Sequence, residues 1–191
     1  MKLFLFFSLL SISIFADGEN LKSAYVDYDA FEKIVAEVKE HRKNRLVSLE
    51  KFLEMSKEDK VIILDTRSPA MYKSKHIKGA VHLNFSDFTQ RNLARVIPSF
   101  DTKVLIYCNN NFEDDQVNFA SKIAAPPVAN NTTPITLALN IPTYINLYGY
   151  GYKNVYELKE LVSVRDERIS FEGTSVLSLP QTESKTKSKS K

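Results

Sequence analysis

The sequence predicts an α/β domain built on a mainly parallel sheet with helices on both faces. Three observations carry this. Val61-Ile62-Ile63-Leu64 and Val104-Leu105-Ile106-Tyr107 are short runs of branched and aromatic residues with nothing polar inside them, as strands covered on both faces require. The segments between such runs repeat apolar residues at three- and four-residue steps, which is the helical period. Short strands that alternate with helices are joined by crossovers and so lie parallel. At 191 residues the chain is long enough for one domain with its own core.

The elements follow in chain order. Lys2, an apolar stretch over 3–15 and Ala16 before Asp17 read as a secretory signal peptide over residues 1–16. The stretch is shorter than the roughly 20 residues that span a bilayer, although an uncleaved anchor is the competing reading. The protein is therefore expected to be exported, periplasmic or secreted. Residues 17–46 form a leader and an N-terminal helix, whose stripe is Phe31, Ile34, Val35 and Val38. Asp27 or Asp29 suits its start, and His41, Arg42 and Lys43 suit its C-terminal end. Leu46-Val47 reads as an edge strand, and Ser48 caps a second helix with Phe52 and Leu53 turned inward. The strand at 61–64 ends at Asp65-Thr66-Arg67, and Ser68-Pro69 opens a short helix through Tyr72. A loop over 76–80, a strand over 81–83 and a helix over 87–96 come next.

After the strand at 104–107 come Cys108 and Asn109-Asn110-Asn111, and then a helix is expected to carry Val117, Phe119, Ala120, Ile123 and Ala124. Pro126, Pro127 and Pro134 mark 125–135 as a surface excursion. Pro142 starts or kinks a helix with Tyr144, Ile145 and Leu147, and Gly149 and Gly151 end it. Residues 154–158 read as the last strand and 165–179 as a C-terminal extension. Residues 180–191 turn to Ser, Thr and Lys, a composition expected to stay disordered.

The net charge is +3. Lys185, Lys187, Lys189 and Lys191 against Glu183 account for all of it, so the body carries no basic field for nucleic acid. Contact of the basic tail with a membrane is a weak expectation beside that of a solvated tail.

Cys108 is the only cysteine, so an exported chain would carry a free thiol where thiols are usually paired. A lone cysteine is most often a small buried hydrophobe. Against that stands its position, because the C-terminal end of a central strand is where open α/β sheets bind ligands. Amide N–H groups and the expected helix start would there favour a thiolate. Cys108, His41, His76 and His82 do not have metal-ligand spacing; no metal or cofactor is expected.

Four segments, in this order, resemble the rhodanese family: Leu64-Asp65-Thr66-Arg67-Ser68-Pro69 with Tyr72; His76-Ile77-Lys78-Gly79-Ala80; Val104 through Cys108; and Gly151-Tyr152-Lys153-Asn154-Val155. The resemblance covers a domain over 47–164. It implies a five-stranded parallel sheet and sulfane-sulfur transfer through a cysteine persulfide, with a small sulfur donor or a protein thiol acceptor as partner. It implies that Cys108 is catalytic, that Asn109, Asn110, Asn111, Phe112 and Glu113 complete the substrate-binding loop, and that Asp65, Arg67 and His76 are structural. Many active members have Gly and Arg at the fourth and sixth loop positions; here these are Asn111 and Glu113. With Asp114 and Asp115 following, the loop would repel thiosulfate and raise the thiol pKa. The related phosphatases need an arginine six residues after the cysteine, where this chain has Asp114. Two other readings stay open: a rhodanese-fold binding module without turnover, and an envelope redox sensor with an exposed thiol.

Overall fold

The computed structural model describes residues 22–124 and 134–176. The expected signal peptide, most of the Pro/Asn excursion and the Lys/Ser tail lie outside these residues. Helix α1 (Tyr28–Arg42) is capped by Asp27, whose carboxylate accepts from Ala30 N. It leads through β1 (Leu46–Val47) to α2 (Leu49–Met55), which Ser48 caps. Strand β2 (Val61–Asp65) is followed by α3 (Pro69–Ser74), with Pro69 in its first turn. Then come β3 (His76–Ile77), β4 (Val81–His82), α4 (Gln90–Val96) and β5 (Lys103–Tyr107).

The main sheet has five strands, all parallel. Strands β2 and β5 pair from Val61↔Lys103 to Asp65↔Tyr107, and β4 lies outside β2. On the other side of β5 lies β9 (Val155–Leu158), and β1 closes that edge. This is the sheet that the resemblance implies.

Side-chain alternation along the strands divides the core into two layers. Ile63, Leu105 and Tyr107 pack with Leu49, Phe52 and Met55 of α2. Leu64, Val104, Ile106 and Val155 pack on the opposite face with Val38 of α1, Leu93 of α4, and Tyr144, Ile145 and Leu147 of α5 (Asn140–Gly149). Pro142 falls in the first turn of α5, where its missing N–H has no intrahelical partner to lose. Gly151, at φ +95, then lets the chain reverse into β9.

The expected helix after Cys108 does not form. Phe112–Glu113 becomes β6 and pairs in parallel with β10 (Val162–Ser163). Asp114 then takes φ +68, which no helix continues. Asp115 accepts from the Asn118 N–H and its carbonyl from Phe119 N, giving a single turn. Phe119 is buried against Phe112 and Phe171, while Val117 stays exposed. The chain leaves in β7 (Ile123–Ala124), antiparallel to β8 (Ile135–Thr136). Nor is β9 the last strand. Beyond β10, β11 (Phe171–Glu172) pairs with β3, and Gly173 sits where an added Cβ would lie 2.3 Å from the Ser74 carbonyl oxygen. Among the described residues, no helix is long and apolar enough to cross a membrane.

Candidate active site

Cys108 follows the last residue of β5, two positions beyond Ile106 and therefore on the α1/α4/α5 face. It is 1% exposed, where the redox-sensor reading expected an exposed thiol. The sulfur is not packed in hydrocarbon alone. The backbone N–H groups of Asn140, Asn110 and Leu139 act to lower its pKa. Two of these come from the start of α5. The helix that serves the thiol thus arrives some thirty residues later than the one expected directly after Cys108.

The start of α5 is pinned to the end of β2 by a buried hydrogen bond between the hydroxyls of Thr66 and Thr143, 2.9 Å apart. Burial pushes the Cys108 thiol up; the three amides oppose this, and the Glu157 carboxylate adds to it. The balance is a thiol above its ordinary value, held neutral at physiological pH.

The three asparagines are separate rivets. Asn109 accepts from Arg67 at 3.4 Å. The Asn110 side chain holds the main chain of Lys122 from both sides, at 2.7 and 3.2 Å. Asn111 accepts from the Cys108 N–H at 2.9 Å and donates to the Leu158 and Glu160 carbonyls. Where family members have glycine at this position, Asn111 is a buried strut from β5 to the end of β9. Phe112 is core, and Glu113 is exposed on β6.

The acidic residues after the loop do not act on the thiol as expected. Asp114 bonds Ser163 at 2.6 Å and Asp115 pairs with Lys75 at 3.0 Å. Burial would raise Asp115, but the Asn118 amide and the Lys75 ammonium outweigh it and hold the carboxyl below its usual range. The carboxylate that does act is Glu157 in β9, which the sequence reading did not single out. A signal was there: in Val155-Tyr156-Glu157-Leu158, alternation puts Glu157 on the buried face of Val155.

Asp65, Arg67 and His76 sit one layer away. Asp65 accepts from the Arg67 main-chain N–H, from its guanidinium and from Tyr107 Oη. Arg67 also donates to the carbonyls of Lys75 and Asn118, at 2.6 and 3.0 Å. His76 donates from Nδ1 to the Tyr72 carbonyl at 2.7 Å, and its ring stacks on Tyr72, which stacks on His82. A cavity of about 260 Å³ opens beside the thiol loop, lined by Arg67, Met71, Asn109, Lys122, Leu137 and Leu139 among others. Two of its walls, Asn109 and Leu139, are next to residues whose N–H groups lower the thiol pKa.

The rhodanese-like domain model matches residues 48–160, more than half of the chain. The chain belongs to the rhodanese-like domain family. No curated protein matches it. Among solved structures it is similar to the BH2092 protein from Bacillus halodurans, at 17% identity over 77% of this chain and 88% of that one, with a TM-score of 0.46. A rhodanese-like domain of the Alr3790 protein from Anabaena sp. is 16% identical over 77% and 92%, also at 0.46. A rhodanese with anions from E. coli is 16% identical over 60% and 99%, at 0.36. The family assignment rests on the 48–160 match; it supports sulfurtransferase-type activity or a rhodanese-fold module.

Proposed function

We propose that this chain is an exported rhodanese-like sulfurtransferase that carries sulfane sulfur as a persulfide on Cys108 and turns over slowly. The single observation that supports this most is the place of Cys108 at the end of the central strand β5, where the backbone N–H groups of Asn140, Asn110 and Leu139 lower its pKa against the effect of burial. A thiol that served only as core filler would need no donors. A hydropersulfide ionises more readily than a thiol, so these amides suit the loaded state better than the resting one.

Sulfur transfer would run as follows. The thiolate attacks the outer sulfur of a donor persulfide, a new S–S bond forms on Cys108, and the donor leaves as a thiolate that takes up the proton. An acceptor thiolate then attacks the terminal sulfur and restores the Cys108 thiolate. The cavity is lined by Met71, Leu137 and Leu139, with Lys122 at its wall. That mix suits an organic persulfide bearing a carboxylate better than thiosulfate. No arginine stands at position 113, where many active members have one to hold an anion, which also argues against thiosulfate. The apolar stretch after Lys2 supports export.

Mass spectrometry of the purified protein after exposure to glutathione persulfide tests this. One added sulfur is expected on wild type and none on Cys108→Ser. Absence of the adduct with every donor would sink the proposal. A second reading, a binding module that keeps only the fold, is favoured by the burial of the thiol and its raised pKa. It predicts no adduct and unchanged partner binding by Cys108→Ser.

A further inference from the structure

Helix α1 ends at Arg42, outside the residues that match the family. Its last residue nevertheless reaches the thiol site. Arg42 Nε and a terminal guanidinium nitrogen grip the two oxygens of Glu157, at 2.5 and 2.7 Å. The Glu157 side chain is 7% exposed. It stands beside Ile106 in the β5–β9 ladder, on the face that Cys108 continues. One Glu157 oxygen also accepts from Asn140 Nδ2 at 3.3 Å. The same Asn140 nitrogen donates to Asn111 Oδ1 at 3.0 Å, and that oxygen accepts the Cys108 N–H. The Asn140 backbone N–H also acts to lower the pKa of the Cys108 thiol. A continuous line of hydrogen bonds therefore joins α1 to the main chain of Cys108.

We propose that Arg42, Glu157, Asn140 and Asn111 form a positioning relay through which helix α1 sets the reactivity of Cys108. The proposal deepens the sulfur-carrier reading and rests on it for its purpose. A buried carboxylate beside a thiol disfavours the thiolate. A bidentate guanidinium on that carboxylate offsets part of the effect and fixes where the charge sits. The relay therefore keeps the resting sulfur neutral and unreactive, with the amides already in place for the loaded state. The extra N-terminal helix belongs to the site rather than to packing alone.

Other charged and titratable groups lie on this face and on the one behind it. Tyr144 of α5 bonds His41 of α1 at 2.9 Å. On the β2 side, Asp65 and Arg67 form a closed pair. All four are the same in the proteins compared below, so differences in thiol titration report Glu157 and Arg42.

The test follows the Cβ resonance of Cys108 through a pH titration of the carbon-13-labelled full chain. Cys108 is the only cysteine, so one resonance titrates, and a buried sulfur needs no reagent to reach it. Glu157→Gln keeps the acceptor for Asn140 and removes the charge. Its thiol midpoint is expected to fall by about half to one pH unit, a three- to tenfold gain in thiolate at fixed pH. The double variant Arg42→Gln with Glu157→Gln removes both charges and leaves neither uncompensated. Its midpoint should fall by less, because the guanidinium is lost as well. It decides the matter if the single variant does not fold. Unchanged midpoints in folded variants overturn the relay. Sulfur uptake by wild type does not enter this readout, so the relay and the carrier reading fail separately.

Discussion

Two buried carboxylates stand near the C-terminal ends of the two strands that flank β5, each gripped by an arginine, and they do different work. Asp65 in β2 is held by Arg67, two residues away. Glu157 in β9 is held by Arg42, 115 positions away. The Arg67 side chain is 3% exposed and that of Arg42 is 33% exposed. Arg67 spends its remaining donors on the carbonyls of Lys75 and Asn118 and on Asn109, so the pair ties three loops together and faces no reactive atom. From Arg42 the line runs on beyond Glu157 through Asn140 and Asn111 to the Cys108 main chain. Like chemistry thus gives a knot on one strand and a control point on the other. The difference lies in what the second shell of hydrogen bonds reaches.

The largest expected effect breaks the knot. Arg67→Met leaves Asp65 fully buried and without its cation, and breaking such a pair costs about 3–5 kcal/mol. Chemical denaturation should show a loss of that size. Adding Asp65→Leu should return only part of it, since the carbonyls of Lys75 and Asn118 remain without donors. Full recovery would mean that the loops do not depend on Arg67.

A smaller loss is expected from Tyr107→Phe. Its hydroxyl donates to Asp65 and accepts from the Ile77 N–H at 3.2 Å. Deleting it strands one buried N–H, at about 1–3 kcal/mol. Arg42→Met should fall at the lower end of that range, because water reaches the half-open guanidinium site and the Asn140 amide still solvates Glu157. If Arg42→Met costs as much as Arg67→Met, the two pairs are both structural and the contrast between them fails.

The same contrast explains what the sequence made legible. The strands at 61–64 and 104–107 are visible because burial on both faces leaves an uninterrupted apolar run. Asp65 and Arg67 lie within three residues of one such run, and the resemblance marks both as structural; that they pair with each other is what the structure adds. The fate of residues 112–124 could not. Their helical periodicity is real, but Phe112–Glu113 finds a strand partner at Val162–Ser163, and Phe119 turns in to meet Phe171 of β11. Each is settled by a segment some fifty residues off. The helix expected directly after Cys108 is missing for the same reason: Leu139 and Asn140, whose N–H groups act on the thiol, lie some thirty residues away in sequence. Asp114 and Asp115 are near the cysteine in number but bond Ser163 and Lys75, whereas Glu157 is distant in number and stands on the strand next to β5, opposite Ile106.

A third pair sharpens the comparison at its weak end. Lys75 and Asp115, with side chains 10% and 16% exposed, meet at 3.0 Å and hold the turn before Phe119 against the end of α3. The Asp115 carboxyl lies below its ordinary value in the folded protein. Its pairing therefore stabilises the fold fully above the unfolded-state pKa of an aspartate and fades as pH falls through the lower folded value. Comparing wild type with Asp115→Asn by thermal melting from neutral pH downward should show a gap that closes in acid. The gap should stay under about 1–2 kcal/mol, since the asparagine keeps part of the hydrogen bonding with Asn118 and loses only the charge. A gap independent of pH would mean that the turn is held by the hydrogen bonds alone. Charge would then matter at the Glu157 and Asp65 pairs and nowhere else along this edge of the site.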